Sequence, residues 1–222
     1  MVEDLFEETS VRIAIVLYPQ FTALDLVGPY EVLSRIPGTE VVFVAEEPGL
    51  VADKVGSLSV PAVSLQELTS PDVILVGGGA GQPAQLTDGR LRQWLRTADQ
   101  TSAWTAAVGT GTLLLAGAGL LHGRRATTHW LAAEQLVDLG ATYANTPVVI
   151  DGKYATGAGV SAGIDLALTL TGLIAGDEVA QAIQLIVEYA PEPPYDAGTP
   201  ESAPPHLREQ AAGRREQILG RS

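Results

Sequence analysis

Three segments of the sequence carry residues that could do chemistry, and each follows a predicted strand. Asp25 follows the first strand, the glycine run Gly77–Gly81 follows the third, and Gly109 and Thr110 follow the fourth. A carboxylate can transfer protons, and glycines let backbone amides approach a ligand closely. Because the carboxyl ends of parallel strands meet at one edge of an open sheet, we expect the three segments to converge on one site.

Asp25 has two interpretations. It stands near the start of a helical pattern, where a carboxylate can cap free N–H groups and interact favourably with the helix dipole. In the other interpretation it faces an apolar pocket, where burial raises its pKa enough for proton transfer near neutral pH. The residues alone leave both interpretations open.

Other reactive side chains are few. Thr110 and Thr112 carry hydroxyls beside Gly109, but a threonine nucleophile needs an adjacent base. His129, in the sequence ATTHW, is expected to be a structural or pocket-wall residue. The run Gly77–Gly81 lacks the GxGxxG and P-loop patterns, which argues against a nucleotide site. No group of His, Cys and Asp residues has metal-ligand spacing, so we predict neither a metal nor a cofactor.

Strands and helices alternate along the chain, which predicts a parallel sheet with helices on both faces. Apolar runs predict strands at Val11–Leu17, Val41–Ala45, Val73–Val76, Ser102–Val108, Ala126–His129 and Val148–Ile150. Helical patterns are found at Tyr30–Arg35, Asp88 to about Gln100, Thr112–Ala118, Ala132–Leu139, Ala162–Leu173, Glu178–Tyr189 and His206 to about Leu219. Pro29 suits a first helical turn because it has no N–H to pair, and Asp88 is a predicted N-cap.

The composition describes a globular chain and limits its partners. Of 222 residues, 46% are hydrophobic and 18% charged, and the formal net charge is −13. Such an acidic surface repels nucleic acid and anionic membranes. There is no cysteine, which excludes disulfides, thiolate metal sites and cysteine catalysis. The start MVEDLFEETS does not resemble a signal peptide, and the most apolar stretch, Leu113–Leu121, is too short to span a bilayer, so we expect a cytoplasmic location.

The chain is predicted to form one domain with extensions at both ends. Residues 1–10 form an N-terminal extension, and residues 11–190 form the α/β domain. Residues 191–222 form an arm and a last helix that pack on the same domain. The arm sequence PEPPYDAGTPESAPP is too rich in proline for regular structure, so we expect it to wrap the surface.

Five co-linear segments resemble the DJ-1/PfpI superfamily, and within it the isonitrile (isocyanide) hydratases. The resemblance covers about residues 11–204, in the segments VRIAIVLYPQFTALDLVGPYEVL, VILVGGGAG, AAVGTGTLLLAGAGLLHGRRATTHW, ATGAGVSAGIDLAL and QLIVEYAPEPPYDAGTP. It implies a flavodoxin-like three-layer α/β sandwich with a mostly parallel sheet, as in class I glutamine amidotransferases. It also implies a homodimer with a pocket near the subunit seam.

The resemblance also implies roles for single residues. In the isonitrile hydratases, a cysteine thiolate on a sharp elbow adds to the isocyano carbon, and water completes conversion to an N-formamide. Asp25 matches the acidic residue that exchanges protons with the sulfur. Gly78 and Gly79 match backbone donors that stabilise negative charge, and Thr110 matches the residue after the nucleophile. Gly109 occupies the nucleophile position itself, so covalent thioimidate chemistry is excluded for this sequence.

Gly109 is either a natural divergence or an engineered replacement of cysteine. We favour divergence, because alanine or serine is the usual replacement and because glycine best tolerates the strained backbone of an elbow. Loss of the side chain is also expected to enlarge the floor of the pocket. PfpI-type peptidases place a histidine where Thr110 stands. Peptidase activity is therefore disfavoured both by the absence of the cysteine and by the absence of this histidine. Deglycase or glyoxalase activity of the DJ-1 kind also needs the thiolate.

We therefore expect an isonitrile-hydratase-like enzyme of the lyase type that acts non-covalently on a small organic molecule, in specialised metabolism. Asp25 would be the acid/base for a hydration, dehydration or cyclisation. The alternatives are a non-catalytic binding or sensor protein, or an engineered variant of an isonitrile hydratase. Cysteine-free DJ-1-like domains are also found fused to AraC-type DNA-binding regions, but the tail after residue 205 is too short for such a region.

The expected site has two sets of supporting residues. Backbone amides would hold a developing anion, from Gly78, Gly79, Gly109 and Thr110. Side chains are expected in the pocket wall, from Tyr18, His129, Trp130 and Val160.

Overall fold

The strands of this protein form where β-branched and small apolar residues run together. The computed structural model describes residues 11–87 and 89–220. Eight strands form the main sheet: β1 (Val11–Val16), β2 (Thr39–Ala45), β3 (Gly49–Ala52), β4 (Ser59–Ser64), β5 (Val73–Val76), β6 (Trp104–Val108), β9 (Val148–Asp151) and β10 (Tyr154–Gly157). Two short strands pair separately: β7 (Arg125–Ala126) and β8 (Thr142–Tyr143).

The strand order brings the three predicted segments together. It is β3-β4-β2-β1-β5-β6-β10-β9, and only the outer strands β3 and β9 run antiparallel to their neighbours. The chain moves from β1 towards one side of the sheet and from β5 towards the other, so the order reverses between β1 and β5. In open parallel sheets, ligands bind at the carboxyl ends of strands beside such a switch point.

Helices cover both faces of the sheet. They are α1 (Ala23–Leu33), α2 (Gln82–Thr87), α3 (Gly89–Asp99), α4 (Gly111–Gly117), α5 (Ala133–Asp138), α6 (Ala162–Ala175), α7 (Asp177–Ile186), α8 (Pro205–Ala212) and α9 (Arg215–Leu219). Short 3₁₀ turns occur at Leu65–Glu67 and Trp130–Ala132. Among the described residues, no helix is both long and apolar enough to cross a membrane.

Two apolar layers hold the sheet between the helices. Alternate residues of β1 point to opposite faces, as the strand period requires. Ala14 and Val16 pack with the inner sides of α3, α4 and α5. Ile13 and Ile15 pack with α1, α6 and α7. The predicted three-layer flavodoxin-like α/β sandwich is therefore confirmed.

Helix α1 corrects one prediction and helps to position the site. It begins at Ala23, so Pro29 lies inside it and not in its first turn. A proline has no N–H to bond the carbonyl four residues earlier, here that of Asp25. The Asp25 carbonyl oxygen instead faces the glycine run, 3.4 Å from where a Cβ on Gly77 would lie.

Other predictions need smaller corrections. The strand expected at Ala126–His129 ends at Ala126, and the single helix expected from His206 is two helices that separate after Ala212. Strands β3, β4, β8 and β10 were not predicted, because they are short or contain proline or glycine. The predicted N-cap Asp88 and the predicted extension of residues 1–10 lie outside the described residues.

Candidate active site

The Asp25 carboxylate lies where three strand ends meet. It belongs to the first turn of α1, shortly after β1, and only 3% of the residue is exposed. Gly78, just after β5, donates its N–H to Asp25 Oδ2 at 3.0 Å. Gly109, directly after β6, has its Cα next to the same oxygen, since a Cβ there would lie 2.9 Å from Oδ2. The expected convergence of the three segments is therefore present.

Gly109 forms a sharp turn between β6 and α4. Its φ of +56° lies in the left-handed region that favours glycine. Its N–H donates to the Gly157 carbonyl at 2.9 Å, and its carbonyl accepts from the Thr128 hydroxyl at 2.8 Å. The elbow is thus held on both sides by neighbouring backbone and side-chain groups, and it keeps its shape without a cysteine.

The second carboxylate oxygen of Asp25 is free. Oδ1 is buried and accepts no hydrogen bond from any residue within 11–87 or 89–220. It lies 3.7 Å and 3.8 Å from where Cβ atoms on Gly109 and Gly159 would stand. Burial raises the pKa of Asp25 from 3.8 to about 7, and the Gly78 hydrogen bond opposes this only in part. The carboxyl group can therefore either give or take a proton near neutral pH.

Most of the backbone amides expected to hold an anion have partners. The N–H of Gly78 bonds Asp25 Oδ2, and that of Gly79 bonds Thr110 Oγ1 at 3.0 Å. The N–H of Gly109 bonds the Gly157 carbonyl. The glycine run thus orients Asp25 and Thr110, and three of the four amides expected to hold an anion already have a partner in the structure. Of the four, only the Thr110 N–H makes no hydrogen bond to the described part of the chain.

Tyr18 was expected in the pocket wall, but it does not line the groove that contains the other three expected wall residues. Its ring is buried in the core, and its hydroxyl donates to the Gly77 carbonyl at 2.7 Å. Burial, and to a lesser extent the charge of Asp25, raise the pKa of this phenol well above 10.0. Tyr18 therefore stays neutral and holds the start of the glycine run in place.

A groove of about 590 Å³ lies beside this centre. The structure places His129, Trp130 and Val160 in its wall. Further lining residues were not expected from the sequence: Leu24, Tyr143, Asn145, Asp165 and the arm residues 198–201. The arm is held there by a hydrogen bond of 2.8 Å from Asn145 Nδ2 to Glu201 Oε1. No local sequence signal marks that pairing, since the two residues are far apart in the chain.

Gly159 lies between the groove and Asp25. It lines the groove, and a Cβ on it would lie 2.8 Å from the Gly109 Cα. A Cβ on Gly109 would itself meet the Asp25 carboxylate first, at 2.9 Å from Oδ2. Gly109 itself does not line the groove. The expectation that the glycine enlarges the pocket floor is corrected.

His129 contributes a neutral ring to the groove wall. Its Nδ1 accepts the Leu131 N–H at 3.3 Å, which caps the 3₁₀ turn that follows. Burial lowers the pKa of His129 below 6.5, so the ring is neutral at pH 7. With Nδ1 acting as acceptor, the ring proton is carried on Nε2. The ring also stacks on Trp130, with centroids 6.0 Å apart.

Comparisons with known proteins agree with this architecture. The DJ-1/PfpI family profile matches residues 11–172. The chain is 40% identical to an isonitrile hydratase from Pseudomonas putida over 205 residues, which is 92% of this chain and 90% of that protein. It is 36% identical to the HTH-type transcriptional regulator CdhR from Pseudomonas aeruginosa over 119 residues, which is 53% of this chain and 35% of the regulator.

A solved structure shows the same fold. The chain superposes on a ThiJ/PfpI family protein from Pseudomonas syringae with a TM-score of 0.91 and 30% sequence identity. The match covers 97% of this chain and 91% of that one. Together with the family match over most of the chain, this result settles the assignment: the chain belongs to the DJ-1/PfpI family.

Proposed function

We propose that this protein is an isonitrile-hydratase-like enzyme of the lyase type that works without a covalent intermediate, with Asp25 as its acid/base. The observation that carries the proposal is the free Oδ1 of Asp25, buried beside Gly109 with a pKa of about 7. The similarity to an isonitrile hydratase along 92% of the chain supports the substrate class. Hydration, dehydration and cyclisation of a small, reactive molecule can all use such a group for proton transfer.

Hydration of an isonitrile illustrates how one carboxyl group could suffice. The protonated Asp25 gives its proton to the isocyano carbon, which leaves a nitrilium ion and a carboxylate. A water molecule adds its oxygen to the nitrilium carbon and returns one proton to Asp25. The product of this addition is an imidic acid, R–N=CH–OH. Its hydroxyl proton moves to nitrogen to give the N-formamide, so one water is consumed. The buried Oδ1 is free for both transfers because Gly78 binds only Oδ2.

The test compares Asp25→Asn with wild type and with Glu31→Gln. Glu31 is a carboxylate of the same helix whose residue faces solvent and pairs with Arg35, so it is the matched control. Formation of N-formamides from small isonitriles is followed by NMR. We expect Asp25→Asn to lower turnover by about 10²–10⁴-fold and Glu31→Gln to leave it unchanged. No turnover by wild type, or undiminished turnover by Asp25→Asn, would refute the proposal.

A second candidate function is non-catalytic ligand binding. It is supported by the position of Gly159, which separates the groove from Asp25, and by the partial similarity to a transcriptional regulator. This function predicts a molecule that binds in the groove, is recovered unchanged and binds Asp25→Asn as tightly as wild type. Recovery of a chemically altered molecule would favour the enzyme instead.

We further infer that the protein is a homodimer with α1 near the subunit seam. Leu24 and Val27 of α1 are 44% and 41% exposed, and Leu24 also lines the groove. A shared interface would bury these apolar side chains and close one side of the groove. Analytical ultracentrifugation is expected to show two chains per particle, and Val27→Glu is expected to shift the protein towards a monomer.

A further inference from the structure

The charged side chains that line the groove are all acidic. Its lining contains two carboxylates, those of Asp165 and Glu201, and none of the lining residues is a lysine or arginine. Its histidine, His129, is neutral at pH 7 for the reasons given above. The carboxylates come from two different elements, α6 and the arm, so they face the same space from two directions.

Each of the two carboxylates accepts a hydrogen bond from another residue. Asp165 Oδ1 accepts the Tyr189 hydroxyl at 3.1 Å, and Glu201 Oε1 accepts from Asn145 Nδ2 at 2.8 Å. Hydrogen bonds to Glu201 lower its pKa, so this carboxyl group is ionised at neutral pH. Arg208 also acts on Glu201, but Arg208 lines a separate neighbouring cavity of about 170 Å³.

Aromatic and aliphatic side chains form part of the wall, beside neutral polar residues such as Asn145 and Ser161. Trp130 and Tyr143 contribute aromatic rings, and Leu24 and Val160 contribute aliphatic surface. Aromatic faces attract cations, and the attraction adds to that of nearby carboxylates. The volume of about 590 Å³ suits a small organic molecule. The unpartnered Oδ1 of Asp25 lies behind Gly159, and Asp25 is not one of the lining residues.

We infer that the groove selects small molecules with an apolar body and a positively charged amine, held between Asp165, Glu201 and the aromatic side chains. The inference rests on the proposed function and adds that the substrate of that function binds in the groove. It adds a charge preference of the substrate that the function itself does not specify. Anionic molecules of the same size would be repelled by the two carboxylates.

The experiment uses three soluble probes of similar shape and different charge: 2-phenylethylammonium, 2-phenylethanol and phenylacetate. Binding to the full chain is measured at low salt by NMR titration, with the indole N–H of Trp130 as the reporter in the groove. We expect the ammonium to bind about tenfold more tightly than the alcohol, and phenylacetate to bind more weakly than either. The preference should decline at high salt, because screening weakens the attraction.

Substitutions of single carboxylates test whether the preference for the ammonium arises in the groove. Glu201→Gln and Asp165→Asn should each weaken ammonium binding about two- to fivefold without changing alcohol binding. Glu192→Gln removes the same charge from the exposed arm at a residue that does not line the groove, so it should change neither. Equal binding of ammonium and alcohol, no shift of the Trp130 signal, or equal effects of Glu201→Gln and Glu192→Gln would overturn the inference.

The outcome separates this inference from the proposed function. Binding is measured without turnover, and Asp25→Asn should keep the preference for the ammonium. A lost preference with turnover that still depends on Asp25 would overturn the inference alone. A preference retained by a protein without such turnover would overturn the proposed function alone.

Discussion

The Asp25 carboxylate lies 2.9 Å from the position that a Cβ on Gly109 would occupy, measured to Oδ2. Such a contact is closer than carbon and oxygen normally approach, so the carboxylate and a side chain at residue 109 compete for the same space. The glycine therefore does two things at once. It adopts the left-handed backbone of the elbow, and it allows the carboxylate to lie directly against that elbow.

Burial of Asp25 predicts a specific dependence of stability on pH. The folded-state pKa of about 7 lies above the ordinary value of 3.8, so the folded chain keeps a proton that the unfolded chain releases in this window. The free energy of unfolding of wild type should therefore fall, relative to Asp25→Asn, as pH rises from 3.8 to about 7, and then stay level. Urea denaturation at several pH values measures this difference.

The total change expected in this difference is about 4 kcal/mol. Because both proteins contain the same other titrating groups, the contributions of those groups to the pH dependence cancel in the comparison. A difference between the two proteins that does not vary with pH would contradict the assigned burial and pKa.

Substitution of Gly109 should lower the free energy of unfolding. Substitution by cysteine should also make the protein react covalently with isonitriles. Gly109→Ala and Gly109→Cys both place a Cβ in a left-handed backbone and against Asp25, so each should lower the free energy of unfolding by about 1–3 kcal/mol. Only Gly109→Cys supplies a nucleophile. We expect it to form a covalent adduct with isonitriles, detected by mass spectrometry, whereas Gly109→Ala should not. A folded Gly109→Cys protein with a reactive thiol and no adduct would show that the pocket differs from that of a thiolate hydratase.

Two buried threonines form a matched pair. Thr110 Oγ1 accepts the N–H of Gly79, whereas Thr112 Oγ1 has no hydrogen-bond partner among the described residues. Thr110→Val leaves a buried N–H unpaired and should lower the free energy of unfolding by about 1–3 kcal/mol. Thr112→Val removes an unsatisfied hydroxyl and should be neutral or stabilising. Thermal and urea denaturation of the two variants measure the contrast, and equal losses would argue against the assigned role of Thr110.

Much of the fold can be predicted from the sequence because its central strands are runs of apolar residues separated by helical patterns. Val73–Val76 is buried throughout, and its pattern predicts the observed strand at its observed bounds. The strands next to the two edge strands are different. In β4, Pro61 interrupts the apolar pattern, and β10 is a short segment between glycines. Their pairing depends on neighbouring strands, which local sequence does not encode.

The site can be predicted only in part. The meeting of Asp25 with the glycine run follows from topology, because strand ends converge wherever the side chains point. The hydrogen bonds of Gly78 and Gly79 depend on atomic positions, so the sequence alone suggested free donors where the structure has occupied ones. Glu201 enters the groove because a proline-rich arm returns across the fold, and that path is set by tertiary contacts such as the one with Asn145.

The central claim is that Asp25 is a buried carboxyl group that changes protonation near neutral pH. A ¹³C NMR titration of the Asp25 side-chain carboxyl in the folded wild-type protein, assigned by its absence in Asp25→Asn, tests this claim most directly. The structure predicts a midpoint at about 7. A midpoint near the ordinary value of 3.8 would contradict it, since the carboxyl group would then be fully ionised at neutral pH and unable to donate a proton.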